Sequence, residues 1–260
     1  CLNRDDPASE YMYRAIPDGV AVRTFGRHPE ADFRVEGLEC GIDGSRFTLV
    51  MPRGKVELRI PLVGAFNAMN AAAAAAAANV LGVSELTLAT ALETASPPRG
   101  RLEFVGEARG ARVFVDYAHT ADALDKVCGS LRDLTDGPLS VVFGCGGDRD
   151  TTKRPEMARV VADIADRAWM TSDNPRSEDP EAILDDMERG LQGAHGDFFR
   201  VTDRGDAIRR AIQHAEPGET VLVAGKGHEA YQVLGDTVVP FDDVEVARDA
   251  LRSRGEARLV

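Results

Sequence analysis

From residue 102 onward the chain alternates short apolar runs with helical patterns, and this alternation limits the fold more than any other feature. Leu102 to Glu107 and Arg112 to Asp116 read as a hairpin. Leu139 to Phe143, Ala168 to Thr171, Phe198 to Thr202 and Thr220 to Ala224 read as short buried strands. Between them, Ala121 to Leu134, Pro155 to Ala165, Pro180 to Leu191 and Gly205 to His214 carry helical patterns. Apolar strands separated by helices indicate an α/β fold, a Rossmann-like, mainly parallel sheet with helices on both faces. Such sheets bind ligands beyond the carboxyl ends of their strands. The loops that follow these strands are therefore where a site is expected.

Four of those loops are polar. They are Asp116-Tyr117-Ala118-His119-Thr120; Gly144-Cys145-Gly146-Gly147-Asp148-Arg149-Asp150, with Lys153 and Arg154 beyond; Asp173-Asn174-Pro175-Arg176; and Gly225-Lys226-Gly227-His228-Glu229. One such loop is ordinary turn chemistry. Four on one edge of one sheet form a polar rim that stability alone does not call for. Each cluster also has a plainer reading. The glycines of 144–147 suit a tight turn, Asp173 suits a turn before Pro175, His119 suits a core histidine, and Lys226 suits a solvated surface. Arg176 follows a proline between acids, a setting that can hold a guanidinium for two-pronged contact with a carboxylate.

The rim carries both signs. Arg149, Arg176, Lys153 and Lys226 can take carboxylates or phosphates, Asp173 and Glu229 can take an ammonium, and Asn174 can donate and accept. That set fits an amino-acid zwitterion better than a bare phosphate or a metal. No zinc-type spacing of cysteine and histidine and no G-x-S-x-G motif is present.

Residues 1 to about 60 read as short strands and turns, with Val20 to Phe25, Phe33 to Leu38, Phe47 to Met51 and Val56 to Ile60 as strands. Ala65 to Leu81 reads as a buried helix stopped by Gly82, and Ser84 caps a second from Glu85 to about Thr94. Ser96-Pro97-Pro98-Arg99-Gly100 reads as a linker, which gives domains at 1–98 and 99–260.

The 43 acidic against 31 basic residues give a net charge of -12, which argues against general affinity for nucleic acid or anionic membrane. The four scattered cysteines suit reduced thiols in a cytoplasmic protein. The alanine run 71–78 is too short and too weakly apolar to span a bilayer, and no signal peptide is visible. Because the first residue is Cys1 rather than Met, a processed, trimmed or partial chain is expected.

The four loops, together with Asn3-Arg4-Asp5-Asp6-Pro7, Gly64-Ala65-Phe66-Asn67 and Gly100-Arg101-Leu102-Glu103, resemble the Mur ligases over nearly the whole chain. Within that family, Asp173-Asn174-Pro175-Arg176 marks the branch that adds meso-diaminopimelate rather than lysine. The resemblance implies an ATP- and Mg²⁺-dependent ligase of peptidoglycan synthesis. It would join meso-diaminopimelate to UDP-N-acetylmuramoyl-L-alanyl-D-glutamate through an acyl phosphate. It further implies that Asn67 and Asn70 sit near adenine, that Arg101 and Asp116 contact the ribose and phosphate region, and that His119 positions the nucleotide or acyl phosphate. Arg149, Asp173, Asn174, Arg176, Gly225 and Glu229 would hold diaminopimelate. Two departures stand out. Ala121 replaces the family's proline after Asp-Tyr-Ala-His-Thr, and no G-x-x-x-x-G-K-[ST] phosphate loop occurs. The family's magnesium ligands and nucleotide-binding amino-terminal domain lie upstream of the matching segment. The expectation is the second half of a central ATPase domain joined to a whole carboxy-terminal domain, inactive alone. Two alternatives are a non-catalytic amino-acid-binding module, and a superfamily ligase of the folylpolyglutamate or cyanophycin type.

Overall fold

A computed structural model describes residues 1–260, which form two units, Cys1–Pro97 and Pro98–Val260. The first contains β1 (Leu2–Asn3), α1 (Ala8–Arg14), β2 (Thr24–Gly26), β3 (Phe33–Gly41), β4 (Gly44–Met51), β5 (Gly54–Ile60), α2 (Ala65–Val80) and α3 (Glu85–Glu93). Its strands lie in chain order. β1, β2 and β3 are parallel, and β3, β4 and β5 are antiparallel. Phe33 and Val35, Phe47, Leu49 and Met51, and Leu58 and Ile60 bury alternate positions of β3 to β5, the period of two that a one-sided sheet requires. Against them lie Ala68, Ala71, Ala72, Ala75 and Ala76 of α2. Alanine adds little bulk, so helix and sheet can approach closely while helix propensity stays high. Gly82, at φ 86°, follows the end of this helix, and Ser84 Oγ accepts from Thr87 N at 3.2 Å to start α3.

Two expectations for this unit need correction. Of the run Val20 to Phe25, only the last two residues enter β2, and Val20 is exposed. α1 carries no apolar stripe that would announce it. Its Tyr11, Met12 and Tyr13 are all exposed.

The second unit contains β6 (Glu103–Ala108), β7 (Ala111–Asp116), α4 (Ala121–Asp133), β8 (Leu139–Cys145), α5 (Lys153–Ile164), β9 (Arg167–Ser172), α6 (Pro180–Glu188), β10 (Asp197–Arg200), α7 (Arg204–His214), β11 (Thr220–Ala224), β12 (Tyr231–Leu234), β13 (Thr237–Pro240), α8 (Asp243–Arg254) and β14 (Ala257–Leu259). Seven strands form one sheet in the order β10-β9-β8-β11-β7-β6-β14. The first five run parallel, while β6 and β14 are antiparallel to their neighbours. Every residue of β8 and β11 is buried, so both faces of the sheet centre are covered. The mainly parallel α/β sheet is therefore as expected.

Strand order places the rim. The chain runs from β7 to β8, β9 and β10 and then returns to insert β11 between β8 and β7. The four strands that precede the polar loops are thus adjacent and parallel, and their loops leave from one edge at the switch in strand order. The β12–β13 hairpin, α8 and β14 were not expected from the sequence. The expected helix Pro180 to Leu191 ends as α at Glu188 and continues as a 3₁₀ turn, Arg189–Leu191. A Cβ on Gly190 would stand 2.1 Å from the Pro155 carbonyl oxygen, so only glycine permits that turn to lie against α5.

Candidate functional site

The four loops surround one cleft of about 490 Å³. His119, Arg149, Asp173, Asn174, Arg176, Gly225 and Glu229 all line it, together with Tyr117, Lys153 and Tyr231. Of the other residues singled out, Arg101 and Asp116 lie at the base of the first loop, and Asn67 and Asn70 lie in α2 of the first unit.

Backbone proximity holds the loops together. Gly147 N donates to Asn174 O at 2.9 Å, and Gly225 N donates to Asp116 O at 3.0 Å. Asp148 accepts from Ser177 Oγ at 2.7 Å and Ser177 N at 3.3 Å, which lowers the Asp148 carboxyl below its usual range. A Cβ on Gly144 would lie 2.4 Å from Thr171 O, and one on Gly147 would lie 1.9 Å from Pro175 O. Neither residue needs a positive φ. Gly144 serves close approach of β8 and β9, and Gly147 that of the second and third loops, rather than turn conformation.

The first loop is organised by Asp116. Its carboxylate accepts from Leu102 N at 2.6 Å and from Ala118 N at 2.7 Å. Burial raises its carboxyl above the usual range, while the two backbone donors and Arg101 pull the other way. His119 is exposed, and its Nδ1 lies 2.8 Å from Tyr117 O. A carbonyl cannot donate, so Nδ1 carries a proton and Nε2 remains available to the cleft. The Tyr117 ring meets His119 edge-on at 4.6 Å and His228 at 5.0 Å, and the Arg101 guanidinium lies 4.6 Å from its centroid. Thr120 caps α4 through Ala123 N at 3.3 Å, so the helix begins at Ala121 without proline.

The two arginines and the two acids have different environments. Neither Arg149 nor Arg176 pairs with a protein carboxylate. Arg176 donates through Nη1 to the carbonyl of Gly147 at 2.7 Å, which leaves its other guanidinium nitrogens without a protein acceptor. Its backbone sits at φ 53°, a left-handed conformation unusual for arginine. The β12–β13 hairpin holds it there, with Arg176 N donating to Val233 O at 3.1 Å and Gly235 N donating to Arg176 O at 2.8 Å.

The acids already hold a cation. Lys226 is not a solvated lysine but a fully buried one. Its Nζ lies 3.0 Å from Asn174 Oδ1, 3.1 Å from Glu229 Oε2 and 3.4 Å from Asp173 Oδ1. It is also unavailable as a free anion ligand, the other reading open to it in the sequence. Two more buried arginines support the rim. Arg154 bonds Glu178 through Nη2 at 2.8 Å and Asp186 through Nη1 at 2.9 Å. Arg204 forms a two-pronged pair with Asp243 at 2.7 and 2.6 Å. Nothing in the spacing of these residues announces the pairs, because Arg204 and Asp243 stand on different helices.

In the first unit, Asn67 Nδ2 donates to Val63 O at 2.8 Å and its Oδ1 accepts from Asn70 Nδ2 at 3.2 Å. No group of three or more His, Cys, Asp or Glu side chains is placed to hold a metal ion. No helix is long and apolar enough to cross a membrane.

Comparison with known proteins agrees with this architecture. Residues 1–78 match the Mur ligase middle domain, and residues 100–227 match the Mur ligase glutamate ligase domain. The UDP-N-acetylmuramoyl-L-alanyl-D-glutamate--2,6-diaminopimelate ligase of Bacillus licheniformis is 45% identical over 250 residues, 96% of this chain and 50% of that protein. Its counterpart in Streptomyces coelicolor is 43% identical over 256 residues, 96% of this chain and 51% of that protein. A solved structure of a ligase of this name superposes with a TM-score of 0.66 at 35% identity, covering 97% of this chain and 52% of the other. A folylpolyglutamate synthase from Thermotoga maritima shares the fold at 22% identity, with a TM-score of 0.62, 84% of this chain and 48% of that one. The chain spans about half the length of the curated relatives it matches. With both of its units matched by successive domains of one family, the chain belongs to the Mur ligases.

Proposed function

We propose that this chain is the amino-acid-accepting part of an ATP-dependent ligase that adds meso-diaminopimelate to UDP-N-acetylmuramoyl-L-alanyl-D-glutamate in the cytoplasm. One observation carries the reading. In a single cleft, two arginines without carboxylate partners face an acidic pair, in a chain 45% identical to a ligase of that name. Diaminopimelate has two carboxylates and two amino groups, one of which reacts. Arg176 takes the carboxylate at the end remote from the reaction, Arg149 adds positive charge, and Glu229 and Asp173 take the remote ammonium with Asn174. Gly225, at φ 123°, leaves the acids uncovered, since a Cβ there would lie 3.2 Å from Asp173 Oδ2.

The reacting amine attacks the acyl carbon of the D-glutamate side chain, forms the amide and expels phosphate. His119 would position the acyl phosphate or nucleotide through Nε2. By the family resemblance, Arg101 and Asp116 would serve the ribose and phosphates, and Asn67 and Asn70 the adenine. ATP with Mg²⁺ supplies the phosphoryl group that activates the carboxylate. This sequence has no G-x-x-x-x-G-K-[ST] loop to cradle it and no cluster of His, Cys, Asp or Glu placed to hold the metal.

The test is a titration of the purified chain with meso-diaminopimelate and with lysine, followed by amide NMR. Saturable shifts confined to the four loops, stronger for diaminopimelate, are expected. No response to diaminopimelate, or an equal response to both, overturns the reading.

A further inference from the structure

Lys226 is fully buried, and it stands behind the lining of the cleft rather than in it. An ammonium without water is tolerated only where acceptors replace its hydration. Here three side chains do so, and each also belongs to the acidic side of the cleft. The consequence for Asn174 is definite. Its Oδ1 accepts from Lys226 Nζ at 3.0 Å and from Val233 N at 2.9 Å, so the oxygen faces inward. The Nδ2 group then points the other way and donates to Glu229 Oε2 at 3.1 Å. Oε2 of Glu229 thus has two protein donors, whereas no protein group donates to Oε1. Asp173 is likewise fixed on one side, since Lys226 meets Oδ1 and none of the hydrogen bonds reaches Oδ2.

Charge bookkeeping points the same way. Asp173 and Glu229 carry two negative charges and Lys226 neutralises one. The remainder suits one incoming ammonium. Without Lys226, Asp173 Oδ1 would lose its only protein hydrogen-bond donor and Glu229 Oε2 one of its two. The amide oxygen of Asn174 would keep only the Val233 N–H of its two donors.

We infer that Lys226 is a positioning residue that orients Asn174 and Glu229 and leaves the acidic pair with charge for a single ligand ammonium. This rests on the proposed diaminopimelate reading and adds the residue that makes the acids selective for a cation.

The test compares two probes on the 260-residue chain: meso-diaminopimelate, and heptanedioate, which has the same chain length and both carboxylates but no ammonium. The unmutated chain is expected to bind diaminopimelate the more tightly; failure to bind it at all removes the underlying reading and this inference with it. Lys226→Met is expected to weaken diaminopimelate by about tenfold or more, the usual weight of hydrogen bonds to a charged group, and to leave heptanedioate nearly unchanged. Lys226→Arg is expected to recover part of the preference, because it restores the charge. A Lys226→Met chain that loses both probes equally shows only a collapsed cleft, and one that binds diaminopimelate more tightly shows that Lys226 competes for the acids. Either result overturns the inference while leaving the diaminopimelate reading standing.

Discussion

Arg204 and Asp243 form a two-pronged ion pair with neither side chain exposed, at 2.7 and 2.6 Å. The guanidinium also donates to the carbonyls of Ala224 at 3.0 Å and Ser172 at 3.4 Å, the residues at the ends of β11 and β9. One buried cation thereby anchors the starts of the third and fourth loops. Removing one member leaves an uncompensated buried charge, so Arg204→Ala or Asp243→Ala should cost about 3–5 kcal/mol. The double replacement Arg204→Met with Asp243→Leu should cost less than the sum of the two singles. Urea unfolding of the four proteins measures this, and strict additivity would contradict the pairing.

Gly147 has no room for a side chain, since a Cβ would stand 1.9 Å from Pro175 O. Gly147→Ala must push the second and third loops apart. A destabilisation of about 1–3 kcal/mol is expected, as for other overpacked sites, with loss of diaminopimelate binding. Calorimetric titration and thermal melting report the two effects. Unchanged binding would separate this contact from the site.

Arg176 is expected to decide which amino acid is used. Lysine lacks the remote carboxylate of diaminopimelate and would leave the guanidinium unpaired beside a second cation. In the intact ligase, Arg176→Ala should cost about 2–5 kcal/mol in kcat/KM for diaminopimelate, and Arg176→Lys should not restore it, because a point charge lacks the forked geometry. Equal use of lysine and diaminopimelate by the unmutated enzyme would remove Arg176 from this role.

The left-handed backbone at Arg176 adds a stability test. At φ 53° glycine carries no Cβ penalty. Arg176→Gly should therefore be more stable than Arg176→Ala by about 1 kcal/mol, although both lose the grip on the ligand. Melting curves of the two variants check this, and equal stability would mean that the loop relaxes.

The thiols give a pH dependence. Burial pushes Cys128 and Cys145 up to about 12, from an ordinary value of 9.0, with nearby Asp116 and Asp173 respectively adding to the rise. A folded-state value above the unfolded one means that this contribution is complete below pH 9.0 and is lost as pH rises toward 12. Stability should fall over that window, and less steeply in Cys128→Ala. In the folded chain at pH 8, a thiol reagent should label exposed Cys1 and partly exposed Cys40 and spare the other two. Rapid labelling of all four would contradict the burial.

Much of this molecule was readable in one dimension. The period-two strands of the first unit, the alanine helix, the Ser84 cap and the alternation after residue 102 all depend on neighbours a few residues apart, and that is what a sequence displays. The β12–β13 hairpin also left a signal, Gly235-Asp236 between Tyr231-Gln232-Val233-Leu234 and Thr237-Val238-Val239, as did α8 behind its Asp242 cap. The polar loops could be named from the sequence because each follows its own strand. Their convergence needed the order in which the strands pair, with β11 returning between β7 and β8. Whether a charge faces solvent or another charge is likewise a matter of tertiary distance. Lys226 and Asp173 lie 53 positions apart and Arg204 and Asp243 lie 39 apart. Only folding brings each pair within hydrogen-bond reach and removes the water that would otherwise separate them.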